Sequence, residues 1–313
     1  MKVMKREIYS LKIKVLVGLT MICTALAYGQ QQVQFTQYMY NTMSVNPGYT
    51  GTGGKLEAFA IHRSQWLGIS GAPSTQNFGV HGAVTNKLGL GLSVINDKIG
   101  PANQCYINAS AAVRLKMSQK INLSIGLNGG MDVLNVDWSK GLVNSTNDVT
   151  MQTNIQNRVR PLFGAGTYLY ADNWYFGISS PNFIKKDEFG RENEAMIHSN
   201  VHWYFMGGYV MNITDNVKFK PAVLTKLVKG APVTFDLSAN FMIQNTYTVG
   251  AAYRYNDAVS LLLGYTFKNA LFIGYSYDMT LTKLRNYGSG SHDIILKYTL
   301  FSKNQVARSP RFF

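Results

Sequence analysis

The chain is predicted to be all-β: a 14-stranded antiparallel transmembrane outer-membrane β-barrel preceded by a short periplasmic or plug segment. Three observations predict it: apolar residues that alternate with small or polar ones, an N-terminal export signal, and a regular rhythm of short and long connections. The alternation is clearest from Val233 to Phe267. Val233, Phe235, Leu237, Ala239, Phe241 and Ile243 share one face, and Thr234, Asp236, Ser238, Asn240 and Met242 share the other. Side chains on a strand point to opposite faces in turn, so each such segment has one greasy and one wet face. Ten residues at roughly 3.3 Å each, tilted about 40°, rise about 25 Å, the height of an outer-membrane apolar band.

Residues 1–29 read as a signal peptide. Lys2, Lys5, Arg6, Lys12 and Lys14 form a positive n-region ahead of an apolar core, Val15 to Ala27, which ends in the small-x-small site Ala27-Tyr28-Gly29. Cys23 follows Ile22, where a lipoprotein signal needs a small residue, so lipidation is not expected. No other stretch approaches the run of about 18 apolar residues that a spanning helix needs, so any span must be built from strands. Without the leader's five Lys/Arg and one Glu, the chain keeps 25 positive against 15 negative residues. That surplus suits anionic lipid, lipopolysaccharide or an acidic protein, and a solvated basic surface equally. Nucleic acid is not supported, because the positives are scattered and the chain is exported. Cys105 alone remains after cleavage, which excludes an internal disulfide and a cysteine metal cage.

Residues 30–54 are polar and aromatic, too poor in apolar content for a domain. They enter the barrel as a plug or lie beneath it. The barrel is expected over 55–301, with strands near Lys55–Arg63, Thr75–Thr85, Leu88–Asp97, Gln104–Lys116, Ile121–Val133, Arg160–Tyr170, Trp174–Ser180, Val201–Met211, Val217–Leu224, 233–243, 246–255, 258–267, 270–278 and 292–301. Residues 302–313 form a C-terminal tail. Every second connection, such as Asn86-Lys87, Ser118–Lys120, Ala171–Asn173, Gln244-Asn245 and Lys268-Asn269, is short and rich in turn residues. The long ones, 134–159, 181–200 and 279–291, fall between them. An even strand count then puts both termini in the periplasm and the long loops outside. Tyr168, Tyr170, Trp174, Tyr247 and Phe267, beside the turns, fit interfacial girdles. The competing fold is a soluble sandwich or lipocalin-like barrel.

Enzyme chemistry finds little footing. His198 and His202 have the i, i+4 spacing that chelates zinc on a helix, but on a strand they lie about 13 Å apart. His292 and Asp293, as strand neighbours, face opposite ways. Neither Gly164-Ala165-Gly166 nor Gly288-Ser289-Gly290-Ser291 carries phosphate-loop partners. Asp132, Asp137 and Asp148 lack a nearby base. Wet-face Asp236, Arg254, Asp278 and Lys297 suit a lumen network that braces the wall. No catalytic residue, cofactor or metal is expected, and a porin or hydrophobic-solute transporter is the alternative that architecture alone allows.

Seven segments in order resemble the PorP/SprF family of outer-membrane proteins of the type IX secretion system of Bacteroidetes. Gln34-Phe35-Thr36-Gln37-Tyr38-Met39-Tyr40-Asn41 with Val45-Asn46-Pro47-Gly48-Tyr49-Thr50-Gly51 is similar to the family's opening, and Arg63-Ser64-Gln65-Trp66 with Gly71-Ala72-Pro73-Ser74-Thr75-Gln76 to its next element. Gly177 to Asn182, Gly230-Ala231-Pro232, Asp257 to Ser260, Gly274 to Asp278 and Ser289 to Asp293 match later landmarks. Tyr40 and Gly48 depart from it, where Phe and Ala are usual. The resemblance implies a non-enzymatic component that holds a secreted surface protein, such as a gliding adhesin, by its type IX C-terminal secretion domain and links it to periplasmic type IX secretion and gliding components. The candidate partner contacts are Gln37, Tyr38, Asn41, Asn46, Pro47, Trp66, Pro73 and Gln76. Trp66 and Pro73 sit on the first outer loop, where an exposed aromatic anchors a partner or a girdle.

Overall fold

A computed structural model describes residues 38–140, 154–184, 186–187 and 198–300. Fourteen antiparallel strands close into a barrel. They are β1 Leu56–Ser64, β2 Ser74–Ala83, β3 Leu88–Ile99, β4 Ala102–Lys116, β5 Asn122–Val136, β6 Ile155–Tyr170, β7 Trp174–Ser180, β8 His202–Tyr209, β9 Val217–Val228, β10 Thr234–Ile243, β11 Tyr247–Arg254, β12 Ala258–Phe267, β13 Leu271–Thr280 and β14 Ser291–Leu300. Each pairs with its sequence neighbour, and the seam closes where β1 meets β14, from Leu56 opposite Leu300 to Ser64 opposite His292. Closure pairs the backbone groups that an open sheet edge would expose to hydrocarbon. Among the described residues no helix is long and apolar enough to cross a membrane.

Because Leu56 pairs with Leu300, the barrel's first and last strand residues lie on one rim. The short turns share that rim. Gln244 and Asn245 both take positive φ (51° and 52°), as do Lys268 and Asn269 (47° and 55°). Positive φ at both positions belongs to the type I′ hairpin turn, whose twist matches that of the flanking strands. The long connections share the opposite rim.

The structure refines several expected boundaries. The eighth strand stops at Tyr209 and resumes at Met211–Thr214, both parts pairing with β9, with a register shift near Asn212. β5 reaches Val136 and β6 begins at Ile155, which shortens the loop expected over 134–159. The connection after β13 contains a short 3₁₀ turn, Lys283–Asn286. Outward residues are the apolar set: Phe241, Val249, Leu261 and Leu263 are all exposed to the lipid side. Aromatic pairs band this face near both rims, with Phe235 stacked on Tyr255 and Tyr247 edge-on to Tyr265. Tyr168 and Tyr170 are the exceptions to the girdle reading. Both are buried, pointing into the lumen with Tyr49 and Tyr175.

Candidate functional site

Residues 38–54 run inside the barrel and fill its short-turn half. A short helical turn α1, Thr42–Val45, leads through Asn46 to a 3₁₀ turn at Pro47–Tyr49, and Tyr38, Asn41, Asn46, Pro47 and Thr50 are all buried. The Asn46 amide is the main tie. Its Nδ2 donates to the Thr167 carbonyl at 2.9 Å, and its Oδ1 accepts from Gly48 N–H at 2.8 Å. Pro47 suits the first helical position because its missing N–H has no partner there anyway. Ser179 Oγ donates to the Val45 carbonyl at 2.9 Å, and Gly51 N–H to His81 Nδ1 at 3.3 Å. Tyr40 stacks on Phe272 with centroids 4.6 Å apart.

The wall is shaped to receive this segment. A Cβ at Gly126 would land on the Pro47 backbone, one at Gly166 on Asn46, and one at Gly89 on Thr50 and Gly51. These lumen-facing glycines let two backbones approach where any side chain would separate them. Burial raises the Tyr38 and Tyr40 phenols well above the ordinary tyrosine range, so both stay neutral at physiological pH.

Above the filled half the lumen turns ionic. Arg63 on β1 donates to Asp293 of β14 at 2.6 Å and to Asp278 of β13 at 2.8 Å, all three buried. Arg254 pairs with Asp236 at 2.7 Å and Asp257 at 3.2 Å, and Arg160 with Asp132 at 2.8 Å. Lys297 meets Glu57 at 2.9 Å at the other end of the seam. Salt bridges thus clamp the closing strands at both ends. Between the segment and β3–β6 lies a cavity of about 90 Å³, floored by Met43, Val45 and Pro47 and lined by Tyr106, Asn128 and Leu162.

The long-loop rim carries a joined patch. Leu67 exchanges two backbone hydrogen bonds with the β13–β14 loop, Leu67 N–H to Gly290 O and Ser289 N–H to Leu67 O, each at 2.8 Å. Trp66 takes φ +45°, and its N–H meets Ser291 Oγ at 3.2 Å. Leu67 (50 % exposed), Leu284 and Tyr287 (75 % exposed) stand out beside Lys283 and Arg285. An apolar, aromatic and cationic patch of this kind suits a protein surface of opposite charge.

The structure therefore divides the eight candidate contacts. Tyr38, Asn41, Asn46 and Pro47 lie together inside the barrel, where a partner reaches them only if the segment leaves. Trp66 sits at the long-loop rim and Pro73 is buried beneath it. Gln76 is half-buried on β2, bonded to His62, Ser74 and Asn96. Gln37 lies outside the described residues. Arg63, Asp293 and the inward glycines went unnamed as site residues, although the glycines fall on the wet-face parity of their strands. Leu67 and Tyr287 carried no sequence signal, since they join only once the rim is assembled.

A family profile, "Type IX secretion system membrane protein PorP/SprF", matches residues 27–298. No curated protein matches the chain. Solved structures share the fold. A CymD monoaromatic hydrocarbon channel has a TM-score of 0.52 at 12 % identity, over 84 % of this chain and 93 % of that one. The Ralstonia pickettii toluene transporter TbuX has a TM-score of 0.50 at 9 % identity, over 86 % and 94 %.

Proposed function

Since the chain belongs to the PorP/SprF family of type IX secretion system membrane proteins, we propose that it works as a non-enzymatic holder of a secreted surface protein. The family and the barrel make it an outer-membrane component of that system. In this reading, both termini are periplasmic and the long-loop rim faces outside. The C-terminal secretion domain of a surface protein, an adhesin among them, docks on the rim patch around Leu67, Trp66 and Tyr287. The short-turn rim with its nearby termini meets the periplasmic secretion or gliding components.

The observation that carries this reading is the filled lumen. An open pore would serve solute passage, whereas a barrel whose short-turn half is packed with its own residues 38–54 suits a platform whose rims do the work. This also weighs against the porin or solute-transporter alternative. Purifying the tagged full-length barrel from membranes and identifying bound chains tests the proposal. A secreted protein bearing the C-terminal domain is the expected companion. Repeated recovery of a barrel free of secreted chains, conducting solute when reconstituted, would overturn it.

A further inference from the structure

The lipid-facing wall of β1–β6 is not uniformly convex: it holds a cleft of about 630 Å³. Two adjoining rows of ladder partners build it. One runs Val80, Leu92, Ala109, Gly129, Phe163; the other runs Gly82, Leu90, Ala111, Leu127. Gly82, Ala109, Ala111 and Gly129 form a low floor, and the leucines and Phe163 stand as banks. From Leu56 to Phe163 the cleft crosses five inter-strand spacings of roughly 4.8 Å, about 24 Å in all. With strands tilted about 40°, that path rises roughly 15 Å along the membrane normal, about the hydrocarbon depth of one leaflet, half of a ~30 Å core. It starts at Leu56, the first residue of β1 on the short-turn rim, and climbs to the middle of β6.

The lower mouth of the cleft is cationic. Lys87 is exposed in the β2–β3 turn, and Lys116 and Lys120 are exposed around the next short turn. Neither turn, 83–88 nor 114–122, contains a carboxylate. A lipid with a neutral headgroup would leave Lys87, Lys116 and Lys120 without counter-charge, and an acidic protein would leave the apolar cleft empty. One molecule satisfies both features.

We propose that this cleft binds a glycerophospholipid with a net negative headgroup, its acyl chain along the glycine–alanine floor and its phosphate against Lys87. The choice of a phospholipid rests on the orientation proposed above, which puts the short-turn rim in the periplasmic leaflet; cargo recovery succeeds or fails independently of it. Native mass spectrometry of the intact barrel, released from micelles doped equally with phosphatidylglycerol and phosphatidylcholine of identical chains, tests the proposal. The wild type retains phosphatidylglycerol in preference. Lys87→Gln reduces that preference about fivefold, from ~1 kcal/mol per cation near an anionic surface. Ala111→Trp fills the floor and removes both lipids. Lys87 lies in an exposed turn, so its variant reads out even if the tryptophan disturbs folding. Equal retention of the two lipids by the wild type, unchanged preference in Lys87→Gln, or retention of lipopolysaccharide or an acylated protein instead would overturn the assignment.

Discussion

Replacing Asn46 with alanine should unseat the segment inside the lumen. The side chain is fully buried, and it makes two hydrogen bonds, one to the wall at Thr167 and one within its own turn to Gly48 N–H. Truncation leaves the buried Gly48 N–H without its partner, at about 1–3 kcal/mol, and removes a net contribution of about 0.5–1.5 kcal/mol at the Thr167 carbonyl. Gly166 and Gly177, which make room for the amide, then face a void. Taking about 3 kcal/mol as the total, the open fraction of the lumen rises on the order of 100-fold. Single-barrel conductance in a planar bilayer measures this directly. Wild-type barrels are expected to be nearly silent and Asn46→Ala barrels to open often, while Asn173→Ala, in an exposed turn, stays silent. An Asn46→Ala barrel as quiet as the wild type would refute the claim that this amide holds the segment in place.

Three further outcomes follow from the geometry. Gly126→Val drives a side chain into the Pro47 backbone, at about 1–3 kcal/mol of overpacking, so protease should reach residues 38–54 from the short-turn rim; full protection would contradict the fit of wall to segment. Arg63→Ala leaves Asp278 and Asp293 buried without their shared cation, which should destabilise the barrel by about 3–5 kcal/mol in urea unfolding; a loss below about 1 kcal/mol would show that the seam does not depend on it. Asp137, outside the strands, is held at about 2 by hydrogen bonds from Ser139 and Lys140. Its folded-state value lies below the ordinary one, so its contribution is present above about pH 4 and is lost as pH falls through about 2. A carboxyl resonance titrating near 4 would dissolve that contact.

The walls were legible because lipid on one side and a filled lumen on the other impose a period of two on every strand. The turns were legible because Gln244-Asn245 and Lys268-Asn269 tolerate positive φ between alternating runs. Tyr168 and Tyr170 were misplaced for a physical reason: an aromatic beside a turn suits either a girdle or a packed lumen. Parity separates the two, since they share a face with Gly164 and Gly166, whereas Phe163 and Leu169 share the other. The ionic lumen was read in part. Asp236, Arg254, Asp278 and Lys297 stand on wet faces, but Arg63 and Asp293 meet only across the closing seam, 230 residues apart in sequence. Whether 30–54 entered the barrel or lay beneath it was open, because no local periodicity records a contact between Asn46 and a strand over a hundred residues away.

The most direct test of the account is photocrosslinking from the two rims in living cells. A photoreactive residue placed at Leu67 or Tyr287 reports the long-loop rim, and one at Asn86 or Asn173 the short-turn rim. The secreted surface protein should crosslink from Leu67 and Tyr287, and periplasmic components from Asn86 and Asn173. Capture of the secreted protein from the short-turn rim alone, or from neither rim, would contradict it.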